Sequence, residues 1–128
     1  CCDLRGLPID RWIVREFLDC EFDFRAFEGM PITREFRVFV RDGKIEHTQP
    51  YWPPDAVEEG YPDQENWRWC LEFINKIDPV DQLEFHKLAR MASAAVPGFW
   101  SVDCLWTRSR GWVVIDMARG EDSYRWEP

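Results

Sequence analysis

The stretch DCLWTRSRGWVVID, Asp103 to Asp116, constrains this chain more than any other. Two apolar runs, SVDCLW and GWVVIDM, flank the polar break TRSRG, and that arrangement predicts a β-hairpin over residues 99 to 118. Each run carries one aspartate where an apolar residue is expected. With Ser109 and Arg110 at the tip, antiparallel pairing sets Asp103 directly across from Asp116, their Cβ atoms about 5 Å apart on one face. Like charges at that distance repel, so one carboxylate must hold a proton or the two must share a cation. Paired oxygen ligands suit Mg²⁺ better than zinc. A tip at Arg110-Gly111 instead sets Ala118 opposite Asp103, with Asp116 diagonal and still within reach of one ion. The simpler alternative is an edge strand whose aspartate points to water.

The rest of the chain reads around that hairpin. Residues 11 to 18, RWIVREFL, are rich in β-branched and aromatic side chains and predict a strand, with a loop over 19 to 32. REFRVFV, 34 to 40, alternates, with Phe36, Val38 and Val40 on one face and Arg37, Phe39 and Arg41 on the other. Asp42-Gly43 suits a two-residue turn, and KIEHT returns as the partner strand, its Ile45 and His47 on the apolar face. The proline-rich segment PYWPPDAVEEGYPD predicts an aromatic-anchored loop. Asp63 is a candidate cap for a helix with Trp67, Cys70, Leu71, Ile74 and Ile77 at helical spacing. Asp78-Pro79 breaks it, and a second helix follows with Leu88, Met91, Ala92 and Ala95 as its buried stripe, ended by Pro97-Gly98. The tail EDSYRWEP trails off beyond the sheet. This order predicts an α+β fold: a mostly antiparallel sheet with two helices packed on one face, a single domain over residues 1–128.

Composition narrows the function. A chain of 128 residues with 45% apolar content can bury a core, and eight tryptophans belong in that core or along a pocket. The net charge of −8 argues against binding a nucleic-acid backbone, which needs clustered cations, but leaves a nucleotide site open. No apolar run approaches the roughly 20 residues of a membrane helix and no signal-peptide pattern opens the chain, so a cytoplasmic protein without a membrane partner is expected. Five cysteines without a CxxC pair read as reduced thiols. His47 reads as a core-edge residue and His86 as structural. The opening CCDLRG, without Met, predicts a piece of something longer.

Arg37, taken alone, reads as a solvated or salt-bridged strand residue. Beside a metal-binding carboxylate pair it gains a role, because a guanidinium and Mg²⁺ together neutralise a polyphosphate. Arg15, Arg34 and Arg41 are candidates to assist. Neither a GxxxxGK[ST] nor a GxGxxG loop is present, and no nucleophile elbow.

WIVREFLD, TREFRVFVRDGKI and FWSVDCLWTRSRGWVVIDMARGEDSYRW, separated by two helices, resemble the C-terminal half of an ATP-grasp domain, over about residues 11 to 126. The branch it is most similar to has an REFR strand, as in the eukaryotic cell-division-cycle assembly chaperones and related bacterial and phage proteins. The resemblance implies that Glu16, Phe17 and Leu18 face adenine, with Asp19 near the ribose, and that Arg37 contacts the ATP phosphates in a catalytic role. It also implies Asp103 and Asp116 as Mg²⁺ ligands, while the role of Glu121 in the GE pair stays open. An Asn that the family often carries two residues after the final aspartate is Ala118 here, and the N-terminal lobe with its lysine is missing. The implied activity is an ATP- and Mg²⁺-dependent carboxylate-amine ligase working through an acyl-phosphate on a protein or peptide acceptor, with Tyr51 and Trp52 bordering the acceptor site. The alternatives are a non-ligating assembly chaperone or interaction module, and a degenerate fragment.

Overall fold

The computed structural model describes residues 14–128. Two short antiparallel strands come first, β1 (Phe22–Ala26) and β2 (Met30–Thr33), as a sheet of their own. They replace the loop expected over 19 to 32. Their turn runs through Phe27, Glu28 and Gly29, all at positive φ, and only the glycine signals this in the sequence. The strand expected at 11 to 18 is not formed by residues 14 to 18, and residues 11 to 13 lie outside the described residues. Just beyond it, Cys20 makes a single isolated bridge to Thr107.

The alternating stretch forms β3 (Glu35–Arg41), and β4 (Lys44–Pro50) returns through Asp42 and Gly43 at φ 47° and 81°. Two successive positive values are what a tight hairpin demands, and Asp-Gly supplies them. A bulge then intervenes: Val40 faces Ile45 but Phe39 faces His47, leaving Glu46 over. One extra residue sends every later side chain to the opposite face. Ile45 therefore stays against the core as expected, whereas His47 joins the polar face and Thr48 the apolar one. There Thr48 Oγ1 lies 2.7 Å from Nε2 of His86, which gives that histidine its structural partner.

Three helices follow, α1 (Pro54–Glu59), α2 (Trp67–Asn75) and α3 (Pro79–Ser93). The first lies inside the expected loop. Asp63 does not cap α2; its carboxylate accepts from the Arg25 amide at 2.8 Å and ties the segment to β1. Asp78 caps α3, accepting from the amides of Val80 at 2.8 Å and Asp81 at 3.3 Å. The buried line of α3 is Phe85, Ala89 and Ser93, with Leu88 and Ala92 beside it, while Met91 and Ala95 are exposed.

The last strands, β5 (Phe99–Thr107) and β6 (Gly111–Arg119), complete a four-stranded antiparallel sheet in the order β4-β3-β5-β6. Its apolar face, with Phe36, Val38, Val102, Cys104 and Trp112, packs on α3, where the Phe36 and Phe85 rings stack at 5.0 Å. A second core joins α1 and α2 to β1 and β2 through Val57, Leu71, Ile74, Phe24 and Ile32. The fold is α+β as expected, with the helices shared between two cores. Cys20, Cys70 and Cys104 are free thiols, and burial pushes Cys104 up to about 12, an inert core group. Among the described residues no helix is long and apolar enough to cross a membrane.

Candidate functional site

The polar face of the four-stranded sheet collects the charged residues. The last hairpin has a three-residue tip, Thr107 facing Gly111, and a bulge beside Asp103 then restores Asp103 to Asp116 as direct partners. The pairing expected from sequence is thus reached by a longer turn and a compensating bulge. Asp103 is buried and Asp116 exposed. On the other side of β5, Asp103 faces Arg37 of β3.

A two-pronged ion pair joins them: Arg37 Nε donates to Oδ1 of Asp103 at 2.7 Å, and Nη2 to Oδ2 at 2.9 Å. The buried carboxylate therefore has its cation within the chain. The Asp103 hydrogen bond holds the Arg37 guanidinium above its ordinary pKa, against the cost of burial. Its Nη1 donates to the Tyr124 carbonyl at 3.2 Å, and the guanidinium lies 5.0 Å from the centre of the Tyr51 ring. These bonds use three of the five N–H donors of an arginine and leave two for a ligand. Asp116 accepts from the Met117 amide at 2.9 Å through Oδ1, and its other oxygen has no partner among the described residues.

Glu35 belongs to this face and was not singled out in the sequence. It sits two residues before Arg37, 8% exposed, with Oε2 accepting from Thr33 Oγ1 at 3.3 Å. Burial first, and then the negative charge of Asp103, push its carboxyl up to about 8. The signal was the alternation of REFR itself, which puts Glu35 on the same side as Arg37.

The segment after β6 covers part of the face. Gly120 begins a single helical turn, Gly120–Asp122, at a place where a Cβ would stand 2.4 Å from the Phe99 ring; Glu121 is exposed there. The chain then runs across β5, β3 and β4. Ser123 Oγ meets Ser101 Oγ at 2.6 Å, Gln49 Nε2 donates to the Tyr124 carbonyl at 3.1 Å, and the Trp126 amide donates to Gln49 Oε1 at 3.0 Å. His47 joins through Nε2, 3.0 Å from the Trp126 carbonyl.

Residues 16 to 19 lie at the tip end of the β5–β6 hairpin. Glu16 pairs with Arg110 at 2.5 Å, and Ser109 Oγ donates to Asp19 Oδ1 at 2.7 Å, which lowers the pKa of that carboxyl. Glu16, Phe17 and Leu18 face Leu105, Val114 and Ile115 across a cleft of about 640 Å³, in which Phe17 is almost wholly exposed. Leu105 is in turn the register partner of Glu35, so the cleft adjoins the charged face. Of the other arginines, Arg34 is held by Asp81 and Arg41 by Glu46, while Arg15 lines the cleft itself and donates to the Ile115 carbonyl.

Among the described residues no three His, Cys, Asp or Glu side chains gather closely enough to make a metal cage. Ala118, across from Ser101, supplies no ligand. The face nevertheless fits a cation shared with a bound phosphate. Asp116 keeps an oxygen without a partner among the described residues, directly across the β5–β6 pair from Asp103. No curated protein and no solved structure matches the chain. A family profile described as an ATP-grasp domain, family 3 of its clade, does match, over residues 4–125, and the chain belongs to that ATP-binding family.

Proposed function

We propose that this domain binds MgATP on the polar face of its four-stranded sheet and serves a carboxylate-amine ligase. The observation that carries this reading is the line Arg37, Asp103, Asp116 across three neighbouring strands, beside the cleft bordered by Glu16, Phe17 and Leu18. In this reading the cleft receives adenine, with Asp19 at the ribose end. The free N–H groups of Arg37 meet the phosphates, where charge grows as the terminal phosphoryl group leaves ADP. Asp103 keeps Arg37 oriented, so the guanidinium need not reorganise during transfer. Asp103 and Asp116 are the residues that would hold Mg²⁺, which when bound would offset the charge of the phosphate oxygens and so ease the approach of the attacking carboxylate.

A substrate carboxylate oxygen bonds to the γ-phosphorus as the bond to ADP breaks, giving an acyl-phosphate. An amine then attacks the acyl carbon and inorganic phosphate departs with the C–O electron pair. This chain supplies one lobe of that machinery as a single unit over 1–128, acting on a protein or peptide acceptor in a reducing, cytoplasmic setting. The free thiols fit that setting.

Calorimetric titration of the chain with MgATP, beside Asp103→Asn and Asp116→Asn, tests the reading. Saturable binding that both variants weaken at least tenfold is expected. Equal binding by all three proteins, or binding that does not depend on Mg²⁺, overturns it.

A further inference from the structure

Next to the charged face, and apart from the cleft bordered by Glu16, Phe17 and Leu18, lies an aromatic cleft. Phe27, Tyr51 and Trp52 wall two adjoining hollows: an inner one of about 720 Å³ with Arg37 in its lining, and an outer one of about 710 Å³ bordered by Glu28, Glu59 and Tyr61. The walls are fixed. The Phe27 ring rests on Gly60, where a Cβ would come within 2.6 Å of it, and the Phe27 amide donates to the Gly60 carbonyl at 2.7 Å. Phe27 stacks on Trp52 at 5.8 Å, and the Tyr51 ring meets Trp52 edge-on at 4.8 Å.

The backbone around the outer hollow is strained. Among the described residues four non-glycine residues have positive φ, and three of them, Phe27 at 51°, Glu28 at 60° and Tyr61 at 53°, line it. Asp42 sits in the β3–β4 hairpin turn, and Phe27 and Glu28 sit in the turn between β1 and β2, which leaves Tyr61 as the one outside a strand-to-strand turn. Large aromatic residues seldom hold this conformation, and the surrounding packing must keep them in it.

The chemistry of the cleft selects charge. Ring faces are negative, and Glu28 and Glu59 add carboxylates that form no ion pair among the described residues. Arg37, the cation of the inner lining, is already engaged by Asp103. Aromatic walls rimmed by carboxylates bind an alkylammonium or guanidinium group. We propose that this cleft takes the cationic side chain of a basic peptide, with the peptide running inward towards Arg37. Its role as the acceptor subsite rests on the ligase reading; its binding of the cation does not.

The test is an NMR titration of the whole chain, without nucleotide, following the Trp52 indole N–H. The probes are Ac-Gly-Lys-Gly-amide and Ac-Gly-Glu-Gly-amide. The lysine peptide should bind at least tenfold more tightly and move the Trp52 signal. The double variant Glu28→Gln, Glu59→Gln should weaken it at least fivefold, whereas Glu58→Gln, whose carboxylate pairs with Arg68 instead, should leave it unchanged. Equal binding of the two peptides, no binding of either, or equal losses in the double variant and Glu58→Gln would overturn the proposal. A MgATP titration of the same sample separates the two readings: lysine-peptide binding without MgATP binding keeps the cation site and removes its acceptor role.

Discussion

The two faces of the β3–β5 strand pair are made from alternate residues of the same strands, yet they are held by different physics. On one face Phe36, Val38, Val102 and Cys104 are fully buried against α3, and packing alone secures them. On the other, Glu35, Arg37 and Asp103 are also largely buried, but each carries a charge or a perturbed proton. The first face tolerates whatever fills the volume. The second depends on each charge finding its partner, which is how a sheet can hold a reactive site without losing its fold.

The largest effect expected on the apolar face is from Phe85→Ala. It removes the ring stacked on Phe36 and in edge contact with Trp112, and should cost about 4 kcal/mol in denaturant unfolding. On the polar face the comparison is sharper with Asp103→Ala, which leaves a mostly buried guanidinium with no carboxylate. A loss of about 3 kcal/mol is expected, and much of it should return in Asp103→Leu combined with Arg37→Met, because removing both charges ends the imbalance. If the double variant is as unstable as the single one, the polar face is held by shape and the contrast fails.

What the sequence revealed follows the same division. Alternation in REFRVFV and the Asp42-Gly43 turn were readable because both are local. The two bulges of the four-stranded sheet were not, because a bulge is settled by what the opposing strand must match; one of them moved His47 and Thr48 to faces opposite those expected. The other worked in the opposite sense, cancelling the longer hairpin tip so that Asp103 and Asp116 still met. The ion pair between Arg37 and Asp103 joins residues 66 positions apart and needed the β3–β5 register. The tail, with no periodic pattern, docks mainly through backbone groups, which leave little trace in the side-chain sequence.

Glu35 separates the faces by pH. Its carboxyl releases its proton near 4.5 when unfolded but at about 8 when folded. Between those values the unfolded chain has lost a proton that the folded chain keeps, so stability falls as pH rises through the window and levels off above it. Glu35→Gln should therefore stabilise the metal-free protein at pH 7 by on the order of 2 kcal/mol and flatten its melting temperature between pH 5 and about 8. Parallel pH curves for the two proteins would mean that Glu35 is ionised and well solvated when folded.

The smallest effect is expected where the tail meets the polar face. Gln49 is fully buried and spans the gap, donating to the Tyr124 carbonyl and accepting from the Trp126 amide. Gln49→Leu keeps the volume but removes both bonds, at a cost of about 1 kcal/mol in global unfolding. The local consequence is larger than the global one, because residues 123 to 126 are fastened mainly by such bonds. Hydrogen exchange at the Trp126 amide should accelerate by tenfold or more while amides of β3 next to the α3 core stay protected. Unchanged exchange at Trp126 would show that the other bonds to the tail, from Arg37, His47 and Ser101 and from the Trp126 indole to the Pro50 carbonyl, hold it without Gln49.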